Sequence, residues 1–174
     1  MFNVVAALVW RCKALSQGVN YDPARVSTVL YSVDVRSRLK LPQSYAGNAV
    51  LCAYASARCK EIEEAPFSKL VEMVAEGNNR MTGEYARSVI DWKEINKGFP
   101  NGDFLISSWS RLGFGDVEYP WGKPRYSCPV WHDLKDGILL LPDMVGESNN
   151  AVNVLVALPS TELENFKFWK FLEI

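Results

Sequence analysis

Two runs rich in β-branched and aromatic residues, 25–35 and 48–57, lie between stretches whose apolar residues recur every three or four positions. The two periods cannot share one element, because a repeat of two builds a half-buried strand and a repeat of 3.6 builds a helix face. A chain that switches between them folds as layers, with helices laid on a sheet. Over 4–15 the positions Val4, Val5, Leu8, Val9, Cys12 and Leu15 predict a helix with Arg11 and Lys13 on its wet side. Turn residues over 18–23 lead into the first strand, and Leu41-Pro42 with Gly47-Asn48 marks a structured loop before the second.

Downstream, 66–75 and 82–95 read as helices, the second carrying Tyr85, Val89, Ile90 and Trp92 mostly on one side. The run from Gly98 to Gly102 breaks that pattern. Strands are expected at 104–109, 126–131, 138–141 and 152–158, then an amphipathic helix over 161–172. The fold class that follows is α/β, a mixed sheet with flanking helices, with 1–174 as one domain. The first helix opens almost at Met1, so the chain is expected to be part of a longer protein.

Charge and cysteine usage remove several function classes. Nineteen basic against twenty acidic side chains leave a net charge of -1, which offers no global field for nucleic acid or an anionic membrane. Cys12, Cys52, Cys59 and Cys128 form no CxxC pair, and the single His132 has no neighbours at zinc-ligand spacing, so no metal is expected. Reduced thiols fit a cytoplasmic protein. The apolar run 4–10 is too short for a membrane span and lacks the basic flank of a signal peptide.

His132 and Asp136 fall in an HxxxDG string, the spacing of a general base and its partner. A motif match without its structural context is weak. Between two expected strands the pair reads as a decoy in an exposed turn.

The segments VVAALVWRCKAL, VLYSVDVRSRL, SYAGNAVL, ISSWSRLGFGDVEYPWGKP and VNVLVALP, in that order, resemble the carboxy-terminal half of plant BAHD acyltransferases across residues 2–172. Glu118-Tyr119-Pro120-Trp121-Gly122 stands where that family has DFGWG and departs from it at three of five positions. The EYPWG variant resembles the branch that transfers hydroxycinnamoyl groups such as feruloyl to ω-hydroxy fatty acids or fatty alcohols. The resemblance implies a fold similar to chloramphenicol acetyltransferase, represented by its carboxy-terminal half. It also implies a catalytic histidine in an amino-terminal HxxxD domain that this chain does not contain. Acyl-CoA enters as co-substrate and an alcohol as acceptor, with no bound cofactor.

The same resemblance assigns candidate roles. Glu118, in place of the motif aspartate, is expected to hold the loop through Arg36 or Arg38 rather than to catalyse. Ser107 and Trp109, on one side of a strand, are candidates for the acceptor channel. Arg36, Ser37, Arg38 and Lys123 are candidates for the phosphates of coenzyme A, with solvated surface cations the plainer reading. Arg125 is a weaker one. Pro120 replaces a family glycine, which forbids positive φ there. Two functions follow: an acyltransferase half that needs its missing domain or self-associates, or a non-catalytic short form that pairs with a full-length relative.

Overall fold

The computed structural model describes residues 1–98, 100–130, 136–144 and 151–166. Five strands form one sheet: β1 (Val26–Asp34), β2 (Val50–Arg58), β3 (Phe104–Ser108), β4 (Gly137–Pro142) and β5 (Val152–Val156). Their order is β2-β1-β3-β4-β5, with β1, β3 and β4 parallel and an antiparallel strand on each edge. The helices are α1 (Phe2–Leu15), α2 (Cys59–Glu64), α3 (Phe67–Arg80), α4 (Gly83–Ile95) and α5 (Ser160–Asn165). This is the mixed α/β sheet with flanking helices that the alternating periods predict.

The core lies on one sheet face. Val29, Tyr31 and Val33 of β1, Phe104 and Ile106 of β3, and Ile138 and Leu140 of β4 alternate toward it. Across the β1–β2 ladder Val29 faces Ala55 and Tyr31 faces Ala53, so large side chains oppose small ones and α3 can approach closely. That helix enters with Leu70, Val74 and Gly77, a spacing of one face. Each fully buried Val or Leu contributes about 1.5–3 kcal/mol. Arg80 then covers the outer edge of β2: its guanidinium donates to the Tyr54 carbonyl at 2.8 Å and lies 5.1 Å over the Tyr54 ring. An otherwise open strand edge is blunted by charge.

Four expectations need correction. The buried stripe of α1 runs through Ala6, Ala7, Val9, Trp10, Cys12 and Ala14, while Val4 is exposed. Small residues let this helix sit close to its neighbours, a constraint that hydrophobicity alone does not reveal. Helix α4 buries only Ala86, and Tyr85, Ile90 and Trp92 stay exposed. Residues 126–130 are irregular instead of a strand and pair with none of the five strands. Finally, α2 follows β2 without a break, its start fixed by the Glu61 carboxylate accepting from the Arg58 N–H at 3.0 Å. The expected terminal helix is present as α5, and 167–174 lie outside the described residues.

Candidate functional site

In an open sheet with parallel strands, ligands favour the crevice beyond the carboxyl ends, at the point where the chain turns to opposite sides. Here β1 sends the chain outward to β2, while β3 lies on its other side. Register between β1 and β3 ends at Tyr31 with Ile106, so the strands part beyond it. A cavity of about 240 Å³ opens at that place. Phe2, Val5, Leu140 and Val152 form its apolar wall, Ser32, Ser108 and Ser110 bring hydroxyls, and Arg111 brings charge. A larger cavity of about 620 Å³ adjoins it, sharing Ser110 and Arg111 and adding Asp116, Lys123 and Asp143.

The backbone fixes this wall. Trp109 extends the ladder past β3 by donating its N–H to the Leu140 carbonyl at 2.8 Å. Leu112 N–H then returns to the Trp109 carbonyl at 3.2 Å, closing a turn with Ser110 and Arg111 at its centre. The Ser108 and Ser110 hydroxyls are 3.0 Å apart.

The sequence-predicted residues distribute unevenly around this site. Lys123 lines the larger cavity. Ser107 and Trp109 line neither of the two; the Trp109 ring packs against Phe114 at 5.6 Å. Arg36 follows the end of β1, pairs with Asp34 at 3.1 Å and donates to the Gly47 carbonyl at 2.8 Å. Arg38 points elsewhere, donating to the Asn78 side chain at 3.0 Å and leaving its other terminal nitrogen buried without a partner. Ser37 is exposed between them. The two arginines therefore do not converge on one point. Strand alternation puts Ser108 on the face opposite Ser107 and Trp109, the face the cavity uses, while Ser110 and Arg111 lie in the turn beyond β3 and were missed.

Asp136 belongs to the opposite end of the sheet. Its carbonyl accepts from the Leu105 N–H at 2.9 Å, and its φ of 65° makes it a left-handed turn residue entering β4. With Lys13, Gln17, Arg25, Asp103 and Glu162 it lines a polar cavity of about 230 Å³. His132 lies outside the described residues. Among the described residues no group of three or more His, Cys, Asp or Glu is placed to hold a metal ion. No helix there is long and apolar enough to cross a membrane.

Residues 1–172 match the Transferase family. The chain belongs to this family. Its plant relatives include the Arabidopsis thaliana acyltransferase GLAUCE, 59% identical over 97% of the chain and 38% of the relative. Another is the omega-hydroxypalmitate O-feruloyl transferase of the same plant, 34% identical over 99% of the chain and again 38% of the relative. The chain thus spans under two fifths of the length of these curated relatives. Among solved structures, F. sporotrichioides TRI101 complexed with coenzyme A and T-2 superposes with a TM-score of 0.79 at 15% identity, over 95% of this chain and 41% of that one. Vinorine synthase gives 0.71 at 20%, over 94% and 39%. The fold is therefore the acyltransferase fold similar to chloramphenicol acetyltransferase.

In this member of the family the motif loop is a tight turn. Tyr119 N–H donates to the Gly122 carbonyl at 3.2 Å and Gly122 N–H to the Tyr119 carbonyl at 2.9 Å, with Pro120 and Trp121 at the corners. Proline suits the first corner because its φ is preset, and Gly122 takes a φ of 117° that favours glycine. Tyr119 and Trp121 stack at 5.3 Å, 6° from parallel, yet Trp121 is 83% exposed. The expected bond from Glu118 to Arg36 or Arg38 is not formed. Glu118 is exposed, and both arginines are turned to the partners named above.

Proposed function

We propose that residues 1–174 are the carboxy-terminal half of an acyl-CoA-dependent O-acyltransferase of the cytoplasm, inactive without an amino-terminal half. The observation that carries this reading is the family match over 1–172 together with a cavity at the carboxyl ends of the parallel strands. In the reaction, a histidine supplied by the other half takes the proton of the acceptor hydroxyl. The oxygen attacks the thioester carbon, the carbon–sulfur bond breaks, and coenzyme A leaves as its thiol. The present half contributes the cavity wall, with Lys123 and Pro124, directly after the motif loop, bordering the larger cavity.

Hydroxycinnamoyl groups such as feruloyl are the proposed donors, with an alcohol or ω-hydroxy fatty acid as acceptor. The feruloyl and caffeoyl-CoA transferases among the relatives, 34% and 30% identical, support that choice. The test is to mix this chain with a separately expressed amino-terminal half of a full-length relative and follow feruloyl-CoA consumption with ω-hydroxypalmitate. Turnover by the mixture and none by either part is expected. Enzymatic turnover by the chain alone would overturn the reading.

A further inference from the structure

We infer that Arg111, with the Ser108 and Ser110 hydroxyls, forms a subsite for the anionic oxygen group of an amphiphilic ligand, whose apolar body lies against Phe2, Val5 and Leu140. The smaller cavity has a lopsided wall. Its described lining holds apolar side chains, three serines and one charged side chain, Arg111, and no carboxylate. A purely apolar ligand would gain nothing from that cation, and a purely polar one would leave the apolar wall uncovered. A carboxylate or phosphate joined to an apolar body satisfies both.

Four further features point the same way. Arg111 is exposed and has no hydrogen-bond or ion-pair partner among the described residues, so its donors are open to a ligand. A guanidinium presents a planar fork that matches two oxygens of a carboxylate or phosphate. The Ser108–Ser110 bond uses only one of two hydroxyl protons, so the other is free to donate to the same anion. The turn closed by Leu112 N–H and the Trp109 carbonyl fixes the backbone beneath both Ser110 and Arg111.

Anions are favoured at the shared mouth rather than deeper in the larger cavity. The lining of that cavity mixes Lys123 with Asp116 and Asp143, whereas the described lining of the smaller one holds no carboxylate. Ser110 and Arg111 border both cavities. The subsite rests on the acyltransferase reading only for which physiological ligand arrives, an acidic acceptor or the phosphates of the acyl donor. The recognition chemistry is common to both.

Isothermal titration of the chain with decanoate, decanol and coenzyme A separates these sources. Decanoate, coenzyme A or both should bind, and Arg111→Ala should weaken that binding tenfold or more, as expected for loss of a charge-assisted bond. Arg111→Lys should recover part of it, Ser110→Ala should weaken it less, and any decanol affinity should stay within twofold. A loss confined to decanoate assigns a carboxylate, and a loss confined to coenzyme A assigns a phosphate. Binding by neither anion, equal affinity in Arg111→Ala, or an equal loss for decanol overturns the subsite. Because no turnover is read, the subsite can fail while mixed halves still transfer acyl groups, and failed transfer leaves this titration unaffected.

Discussion

Gly77 and Tyr31 are packed so that a Cβ on residue 77 would meet the Tyr31 hydroxyl oxygen at 2.0 Å. The tyrosine cannot turn away freely, because its hydroxyl donates to the Val74 carbonyl at 2.6 Å inside the core. The same Cβ would also meet the Tyr54 carbonyl oxygen at 2.5 Å, and backbone does not yield. Gly77→Ala should therefore destabilise the fold by about 1–3 kcal/mol, the range for overpacking. The helix-propensity gain of about 1 kcal/mol is smaller than the clash. Thermal melts check this, with Gly115→Ala as control, since nothing lies within 4 Å of a Cβ there.

Alkaline pH should destabilise the chain through its buried acids, Cys12 and Tyr31 foremost. Burial pushes the Cys12 thiol up from its ordinary 9.0 to about 12. Burial likewise raises the Tyr31 hydroxyl from 10.0 to about 12. A raised folded pKa means that the native state keeps its proton while the unfolded chain loses it. The stabilisation is complete below pH 9 and is lost progressively toward 12, at up to about 1.4 kcal/mol per pH unit for each group. Melting temperature followed from pH 8 to 11 should fall, and Cys12→Ala should make the decline shallower while its onset stays near pH 9, because burial also pushes the Cys52 and Cys59 thiols up. A flat profile over that range would contradict the assignment.

Lys13 and Glu162 pair at 2.6 Å and join α1 to α5, both side chains being more than half buried. Asn165 adds a bond to the Ser16 carbonyl at 3.2 Å. Exposed pairs contribute about 0–1 kcal/mol and buried ones cost about 3–5 when halved, so Lys13→Ala should fall between, near 1–2. Hydrogen exchange should locate the loosening in α5 before the sheet. Equal loss of protection in β1 would mean that the pair supports the whole core instead.

What could be read from residue order alone was the set of elements that carry their own period. β1, β2, β3 and β4 fall within one or two residues of their expected limits, and α4 within one, because β-branched runs and the Thr82 cap are local signals. Facing directions were harder. Which side of α1 is buried depends on the alanines that permit close packing, and α4 leaves Trp92 exposed although its apolar residues cluster. The missing strand at 126–130 shows the same limit, since a strand needs a partner that its own sequence does not supply. At the site, the family resemblance drew attention to Ser107 and Trp109, whereas the cavity takes Ser108 and Ser110. Residue type was legible; the phase of the final turn after β3 was not.

Glu118 and Arg36 give the sharpest comparison between expectation and geometry. A carboxylate holding the motif loop would cost several kcal/mol to neutralise, as for any buried pair that loses one member. As found, Glu118 is exposed and Arg36 is engaged with Asp34 and the Gly47 carbonyl. Glu118→Gln should therefore change the unfolding free energy by less than about 0.5 kcal/mol, the usual span for a surface substitution. Arg36→Ala should cost about 1 kcal/mol, because the carbonyl of half-buried Gly47 loses a donor. Urea titrations of the two variants side by side decide the matter. If Glu118→Gln lowers the midpoint as much as Arg36→Ala, and the double variant adds nothing, the two residues are coupled and the loop is held by the bond that the family pattern implies.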